Sequence, residues 1–553
     1  MQTTGRVTTL RREVSGEEAL ALGAFRAGVQ VVCGFPGRPG ARTLQLLAAA
    51  GQSRGVTATW NVSPVAAVEE AVGASLLGRR VLVCLPGSGL ATALDALLVA
   101  ATTGTNAGLV LLAGDDPGTT ESSAHVDART LAALASVPVL EPATPAQGAE
   151  MVEEAFRLSE EYQLPVVVRI VPAYARMRGE VVVEKLVRTP GSETRLAREP
   201  GKWVATPSVA AERRERLLWK WERIAEGFSH SLFNEVTGAA RRAVVAVGHV
   251  ASEVSDIVGD LAHGHFTLCS LGTPVPLPAA WLAGSLQSTD EVAVLEEGAP
   301  VVEQALVELV HRRKLNVEIK GRYSGLVPGG GELFRWQIEE ILSQFEPRFA
   351  PARPFFPYEE KPDKPKAEKG FCTGCPHVHA FRVLKQVLRA VFGDAPPIIV
   401  GDPGCTMRAA VPPLSLVDVS YNLGAAISLA KGLARQVSTL PVIAVMGDTA
   451  FFAWGINSLI EAAREKAQLI VVIFDNQTSA TTGFQPNPGS TYVLQNERFK
   501  RVALEELISA CGVDLLRVVD PENETRTRQV FSEALTVDGL RVVVLRSPCP
   551  LIP

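Results

Sequence analysis

Short, nearly all apolar runs rich in β-branched residues recur along most of this chain, and most of them close on Gly, Pro or Asp. VQVVCGF (29–35), RVLVCLP (80–86), GLVLLAG (108–114), PVVVRIV (165–171), PVIAVMGD (441–448), LIVVIFDN (469–476) and RVVVLRS (541–547) are examples. A strand with one wet face alternates apolar and polar residues. A run without alternation is covered on both faces, as in a parallel sheet flanked by helices. Ala/Leu-rich helical stretches lie between the runs, among them 63–78 and 143–162. The second opens with Thr144 placed to cap it and Pro145 at its first position. The pattern predicts an α/β fold of several domains, each a parallel sheet between helices.

At about 150 residues per domain, 553 residues suggest three or four domains. The strand rhythm divides the chain into an α/β domain at 1–185, a helical connector at 186–240 and a smaller α/β unit at 241–345. A Pro- and charge-rich linker (346–369) and a second large α/β domain (370–553) follow. The two large domains are similar enough in size to be structurally related halves. Composition, 47% apolar and 20% charged, argues against disorder. The net charge, 54 − 59 = −5, argues against a nucleic-acid or anionic-membrane partner. No apolar run reaches the 18 residues of a spanning helix, and the first residues lack a signal-peptide core. The expectation is a cytoplasmic protein. Eight cysteines are too few for a disulfide framework at this length.

Two constellations carry chemistry. In 441–483 a buried strand ends in Gly447-Asp448, a helix follows, and a second buried strand ends in Asp475-Asn476. One strand–helix–strand return brings Asp448 and Asn476 together at the carboxyl edge, where open α/β sheets bind ligands. A carboxylate and an amide oxygen suit Mg²⁺, and the helix start after Gly447 suits a diphosphate. The other constellation is FCTGCPH (371–377), with Cys372 and Cys375, joined by Cys405 in GDPGC and Cys549 in SPCP. Four thiolates suit zinc or a 4Fe-4S cluster, and one close pair plus two distant singles favours the cluster. Cys33, Cys84, Cys269 and Cys511 lie in apolar runs or a helix and read as core residues.

The stretch 441–483 resembles the thiamine-diphosphate motif, which implies metal ligation by Asp448, Asn476 and the Thr478 backbone carbonyl. Taken with the cysteines, GEEALALGAFRAGVQVVCGFPGRPG (16–40), WNVSPVAAVEEAVGASLLGRRVLV (60–83), AGDDPGTTESSAHVDAR (113–129) and FDNQTSATTGFQPNPG (474–489) give a wider resemblance. It is to the large subunits of indolepyruvate ferredoxin oxidoreductases, within the 2-oxoacid:ferredoxin oxidoreductases. The resemblance implies oxidative decarboxylation of an aryl 2-oxoacid to an acyl-CoA, with thiamine diphosphate, Mg²⁺, one 4Fe-4S cluster and coenzyme A. It implies cluster ligation by Cys372, Cys375, Cys405 and Cys549, and diphosphate contacts from Gly424, Gly447 and Thr449. A pyrimidine-type domain at 1–185, a transketolase C-terminal-like unit at 241–345 and a diphosphate domain at 370–553 follow from it. So do a small β-type partner subunit, a higher-order oligomer, and His377 as a residue facing substrate or cofactor.

Two departures stand out. Family large subunits continue into a ferredoxin-like domain, whereas this sequence stops at PCPLIP, so a ferredoxin or another external carrier is expected to take the electrons. The family also places an activating Glu where this sequence has Pro64. Glu69 and Glu70 follow on the same helix, Glu69 being the candidate replacement, although five residues is about 7.5 Å of helical rise, too far for an unshifted one. A non-oxidative thiamine-dependent decarboxylase or carboligase, and a catalytically altered assembly subunit, are the competing expectations.

Overall fold

The computed structural model describes residues 10–120, 122, 125–183, 200–204, 207–259, 262–349, 370–393, 395–436, 440–490 and 500–552. The chain forms two compact units, Met1–Pro362 and Asp363–Pro553. The linker expected at 346–369 lies outside the described residues from 350 onward, as does 186–199 of the expected connector. Among the described residues no helix is long and apolar enough to cross a membrane.

The first unit begins with an antiparallel ribbon of β1 (Leu10–Ser15) and β8 (Arg178–Val183). Between them runs a six-stranded, all-parallel sheet of β2 (Val31–Gly34), β3 (Thr57–Trp60), β4 (Val81–Pro86), β5 (Leu109–Gly114), β6 (Val139–Leu140) and β7 (Val166–Ile170). Its order is β3-β2-β4-β5-β7-β6. The connecting helices start as their sequences demand. Ser63 caps Pro64–Leu76 by accepting from the Ala66 amide at 3.2 Å. Thr144 caps Pro145–Tyr162 by accepting from Gln147 at 3.3 Å.

A five-stranded sheet follows in the same unit: β9 (Asn234–Thr237), β10 (Arg242–Val247), β11 (Thr267–Leu271), β12 (Glu291–Leu295) and β13 (Glu318–Lys320). The order is β13-β12-β10-β11-β9, parallel except for β9. A helix over Pro207–Phe228 precedes it.

The two sheets of this unit are joined by a buried ionic network. Arg129 and Arg169 are 0% exposed. Arg129 donates to Asp127 (2.7 Å), to Glu296 (2.7 Å) and to the Glu297 carbonyl (2.6 Å). Arg169 donates to Asp115 (2.6 Å) and to Glu141. Asp115 and Glu141 follow β5 and β6, while Glu296 and Glu297 follow β12, so the carboxyl ends of both sheets converge here.

The second unit repeats the first sheet. Its strands are β14 (Ile398–Gly401), β15 (Val419–Ser420), β16 (Val442–Gly447), β17 (Leu469–Asp475), β18 (Leu515–Val519) and β19 (Leu540–Arg546), all parallel, in the order β15-β14-β16-β17-β19-β18. Both six-stranded sheets therefore read second-first-third-fourth-sixth-fifth. The period of two sorts β17 between two cores. Ile470, Val472 and Phe474 pack on one face with Phe381, Leu384 and Val543. Leu469, Val471 and Ile473 pack on the other with Ile427, Phe451 and Val542. That double burial produces the unbroken apolar runs.

Candidate cofactor and thiol site

Chain direction reverses across the second unit's sheet between β14 and β16, the place where such sheets bind ligands. Asp402 follows β14, Asp448 follows β16, and Asn476 follows the adjacent β17. Gly447 ends β16, and a helical segment begins at Asp448, widens at Phe451–Gly455 to bonds spanning five residues, and runs on to Arg464.

Asp448 is 2% exposed. Its carboxylate accepts from the Thr449 amide at 2.7 Å and the Gln477 amide at 2.7 Å. Among the described residues no Lys or Arg pairs with it. Burial first, and then Asp475, push this carboxyl up to about 7. Asp475 differs, because Arg546 meets it at 2.7 Å and extends to Glu505 at 2.6 Å. Asn476 is buried, and its side-chain oxygen accepts from the Thr478 amide at 3.2 Å. Gln477, between them, has a left-handed φ of 62°. The structure thus brings Asp448, Thr449, Asn476 and Thr478 together at one sheet edge.

The set has a second tier that residue spacing did not single out. Thr449 Oγ1 lies 3.0 Å from Ser479 Oγ and accepts from Asn487 Nδ2 at 3.0 Å. Ser490 donates to the Gln477 carbonyl. These residues lie within the quoted FDNQTSATTGFQPNPG stretch or beside it, yet nothing in a linear polar loop says which side chain folds back. Asp402 was also missed, although its place after a buried strand was the available signal. It is fully buried, accepts from the amides of Gly424 and Ala426, and is pushed up to about 7 by burial. Gly424 is irreplaceable locally: φ is 84°, and a Cβ there would stand 2.7 Å from that of Trp454.

Four thiols gather beside this edge. Cys372 and Cys375 close a turn through a 3.1 Å bond from the Cys375 amide to the Cys372 carbonyl. The helix His377–Phe392 follows; burial pushes the Cys375 thiol up, and the first amides of this helix oppose that push. Cys405 opens the turn after β14, and its thiol is pushed up to about 12, by burial first, with Cys375, Cys549 and Cys372 adding to the effect. The other three thiols therefore lie within Coulombic reach of Cys405. The Cys549 amide donates to the Asn476 carbonyl at 3.2 Å, which ties the thiol set to the loop after β17. Cys33, Cys84 and Cys269 are buried, and Cys511 is half-buried at a helix end.

The residues fit the groups expected of them. Asp448 is a buried anion beside a second, already neutralised carboxylate, and a dication shared with Asn476 would complete its balance. Among the described residues no three His, Cys, Asp or Glu side chains converge as ligands of a single ion. The four thiols, on the CxxC turn, the turn after β14 and the C-terminal segment, are the type of donor set a cluster would take, whose ligands are spread over several irons.

His377 is 3% exposed, and neither ring nitrogen has a partner. The ring stands edge-on to Phe474 at 4.7 Å, and burial lowers its pKa to about 4. It is a neutral, sealed ring. In the first unit, Pro64 is buried at the first position of its helix, and Glu69 and Glu70 are both exposed. The carboxylate that reaches the sheet edge is Glu70. Asn61 Nδ2 donates to it, and Asn61 Oδ1 accepts from the Gly34 amide at 3.1 Å. Glu70 also stands close enough to the buried Cys33 to raise that thiol.

Comparison with known proteins agrees with this layout. Residues 402–545 match the family "Thiamine pyrophosphate enzyme, C-terminal TPP binding domain". Residues 22–196 match "Pyruvate flavodoxin/ferredoxin oxidoreductase, thiamine diP-bdg". The chain is 30% identical to the indolepyruvate oxidoreductase subunit IorA of Pyrococcus abyssi, over 97% of this chain and 85% of that one. It is likewise 30% identical to the subunit of that name from Methanothermobacter thermautotrophicus, over 97% of this chain and 86% of the other. A shorter match, 28% identical over 32% of this chain and 69% of the other, is to the 2-oxoglutarate synthase subunit KorB of Archaeoglobus fulgidus.

Proposed function

The chain belongs to the family of indolepyruvate oxidoreductase IorA subunits, and from that premise we propose that it is the large subunit of a thiamine-diphosphate-dependent enzyme acting on an aryl 2-oxoacid. The product is an acyl-CoA. Cys372, Cys375, Cys405 and Cys549 would hold a 4Fe-4S cluster, which would supply electron transfer toward a ferredoxin or a partner subunit. A small β-type subunit completes the assembly. The observation that carries this reading is the bond from the Cys549 amide to the Asn476 carbonyl, because it puts metal loop and thiol set on one platform.

When bound, thiamine diphosphate supplies carbanion chemistry at the keto carbon and the cluster supplies one-electron transfer. The chain positions both. Asp448, Asn476 and the Thr478 carbonyl hold Mg²⁺, while Gly424, Gly447 and Thr449 border the diphosphate. Arg546 fixes Asp475 so that β17 presents Asn476 in one orientation. His377 is assigned to packing beneath the thiol turn rather than to proton transfer. Glu70, oriented by Asn61, takes the activating role first considered for Glu69. That carboxylate weighs against the reading as a catalytically altered subunit, which draws on Pro64, and the four thiols weigh against a non-oxidative decarboxylase.

Anaerobic purification followed by joint assay of iron, labile sulfide and thiamine diphosphate tests the proposal. About four irons per chain are expected, with thiamine diphosphate retained in the presence of Mg²⁺. A colourless protein that retains the cofactor would replace this reading with the non-oxidative one.

A further inference from the structure

Arg408 stands three residues after Cys405, on the short turn Cys405–Ala409. Its side chain reaches back to the segment that carries the CxxC pair. Nη1 donates to the Gly370 carbonyl at 3.0 Å and to Cys372 Sγ at 3.4 Å. Cys372 is the exposed member of the four. One cation therefore stands against one of the four sulfurs, from a place held by a backbone carbonyl rather than by a competing carboxylate.

We propose that Arg408 is a positioning residue that raises the reduction potential of the cluster held by these thiols; this rests on the cluster assignment above. Each electron taken up adds negative charge to a group already bound by four thiolates. A fixed cation beside one sulfur favours the more negative, reduced state, and a hydrogen bond to that sulfur acts in the same direction. At the exposed thiol water would screen the charge, and the half-buried guanidinium replaces part of that water with a fixed donor. Holding the segments 370–375 and 405–409 together is the purely structural alternative, and it predicts loss of iron instead of a changed potential.

The test is a dithionite titration followed by electron paramagnetic resonance, on the anaerobic full-length chain, with iron and sulfide measured in each sample. Arg408→Leu removes charge and donor, Arg408→Gln removes the charge alone, and Arg408→Lys keeps the charge. Arg408→Leu is expected to keep its iron and shift the midpoint down by at least a tenfold change in the reduction equilibrium, about 59 mV for one electron. Arg408→Gln should fall between, and Arg408→Lys near the wild type. Full iron with an unmoved midpoint in Arg408→Leu would overturn the proposal, as would loss of iron in all three variants. A wild-type chain without iron would instead overturn the cluster assignment beneath it.

Discussion

Asp448 and Asp475 sit near each other at adjacent strand ends, and only one is neutralised. Arg546 answers Asp475, whereas the buried Asp448 carboxyl accepts from two backbone amides and has no Lys or Arg partner among the described residues. Such a group costs stability and is the first place to expect a ligand. Asp448→Asn should therefore have two opposite effects. Mg²⁺-dependent retention of thiamine diphosphate should weaken about a hundredfold, ~3 kcal/mol, by equilibrium dialysis. The cofactor-free protein should melt higher at pH 8, above the group's pKa of about 7, because the buried charge is gone. A lower melting temperature together with unchanged retention would make Asp448 a structural carboxylate. In the first unit, Glu70→Gln should cut turnover at least tenfold, within the range of a lost acid–base group, with cofactor content unchanged. Glu69→Gln, without the Asn61 contact, should stay near wild-type turnover, and a reversed ranking would return the role to Glu69.

At the level of elements, Arg546 joins β19 to β17 through Asp475 and to the helix Leu504–Ala510 through Glu505. Arg546→Leu leaves Asp475, 1% exposed, without its partner. The loss should be about 3 kcal/mol, read as a lowered urea midpoint. Most strands legible beforehand have neighbours on both sides; the edge strand β6, inside PVLEPA (138–143), is an exception. β2, β4, β5, β7, β16, β17 and β19 lie inside the apolar runs quoted above, and β10, β11, β12 and β14 inside similar runs at 242–250, 266–272, 291–298 and 396–402. The unmarked β3, β9, β13, β15 and β18 are edge strands of their sheets, and β1 and β8 form the separate ribbon. An edge strand has water on one flank and needs no continuous apolar run, so TATW at 57–60 carries little signal. Asp448 and Asn476 stand at the ends of the adjacent strands β16 and β17, and Cys405 opens the turn after β14. Glu70 was passed over for Glu69 because its reach depends on Asn61 in the preceding loop, a contact no linear spacing encodes.

At the level of the whole chain, two sheets share one strand order, and only the second carries the thiols and the Asp448 loop. The first unit spends its buried charge differently, on the network joining its two sheets. There Glu297 is pushed up to about 7 by burial, and Glu297 Oε2 has no partner among the described residues. Asp115 is pushed up to about 6, also by burial. Both groups bind protons in the fold that the unfolded chain releases, so their effect lowers stability as pH rises from about 4.5 through 7. Glu297→Gln should therefore stabilise the protein by on the order of 2 kcal/mol at pH 8 and much less at pH 5, in thermal melts at the two values. Equal shifts at both pH values would locate its effect outside this titration. The most direct test of the central assignment is anomalous diffraction at the iron edge, from crystals grown anaerobically with thiamine diphosphate and Mg²⁺. One iron peak in contact with the sulfurs of Cys372, Cys375, Cys405 and Cys549, beside the loop of Asp448 and Asn476, is the expected result. No iron at those sulfurs, or a single zinc in its place, would contradict it.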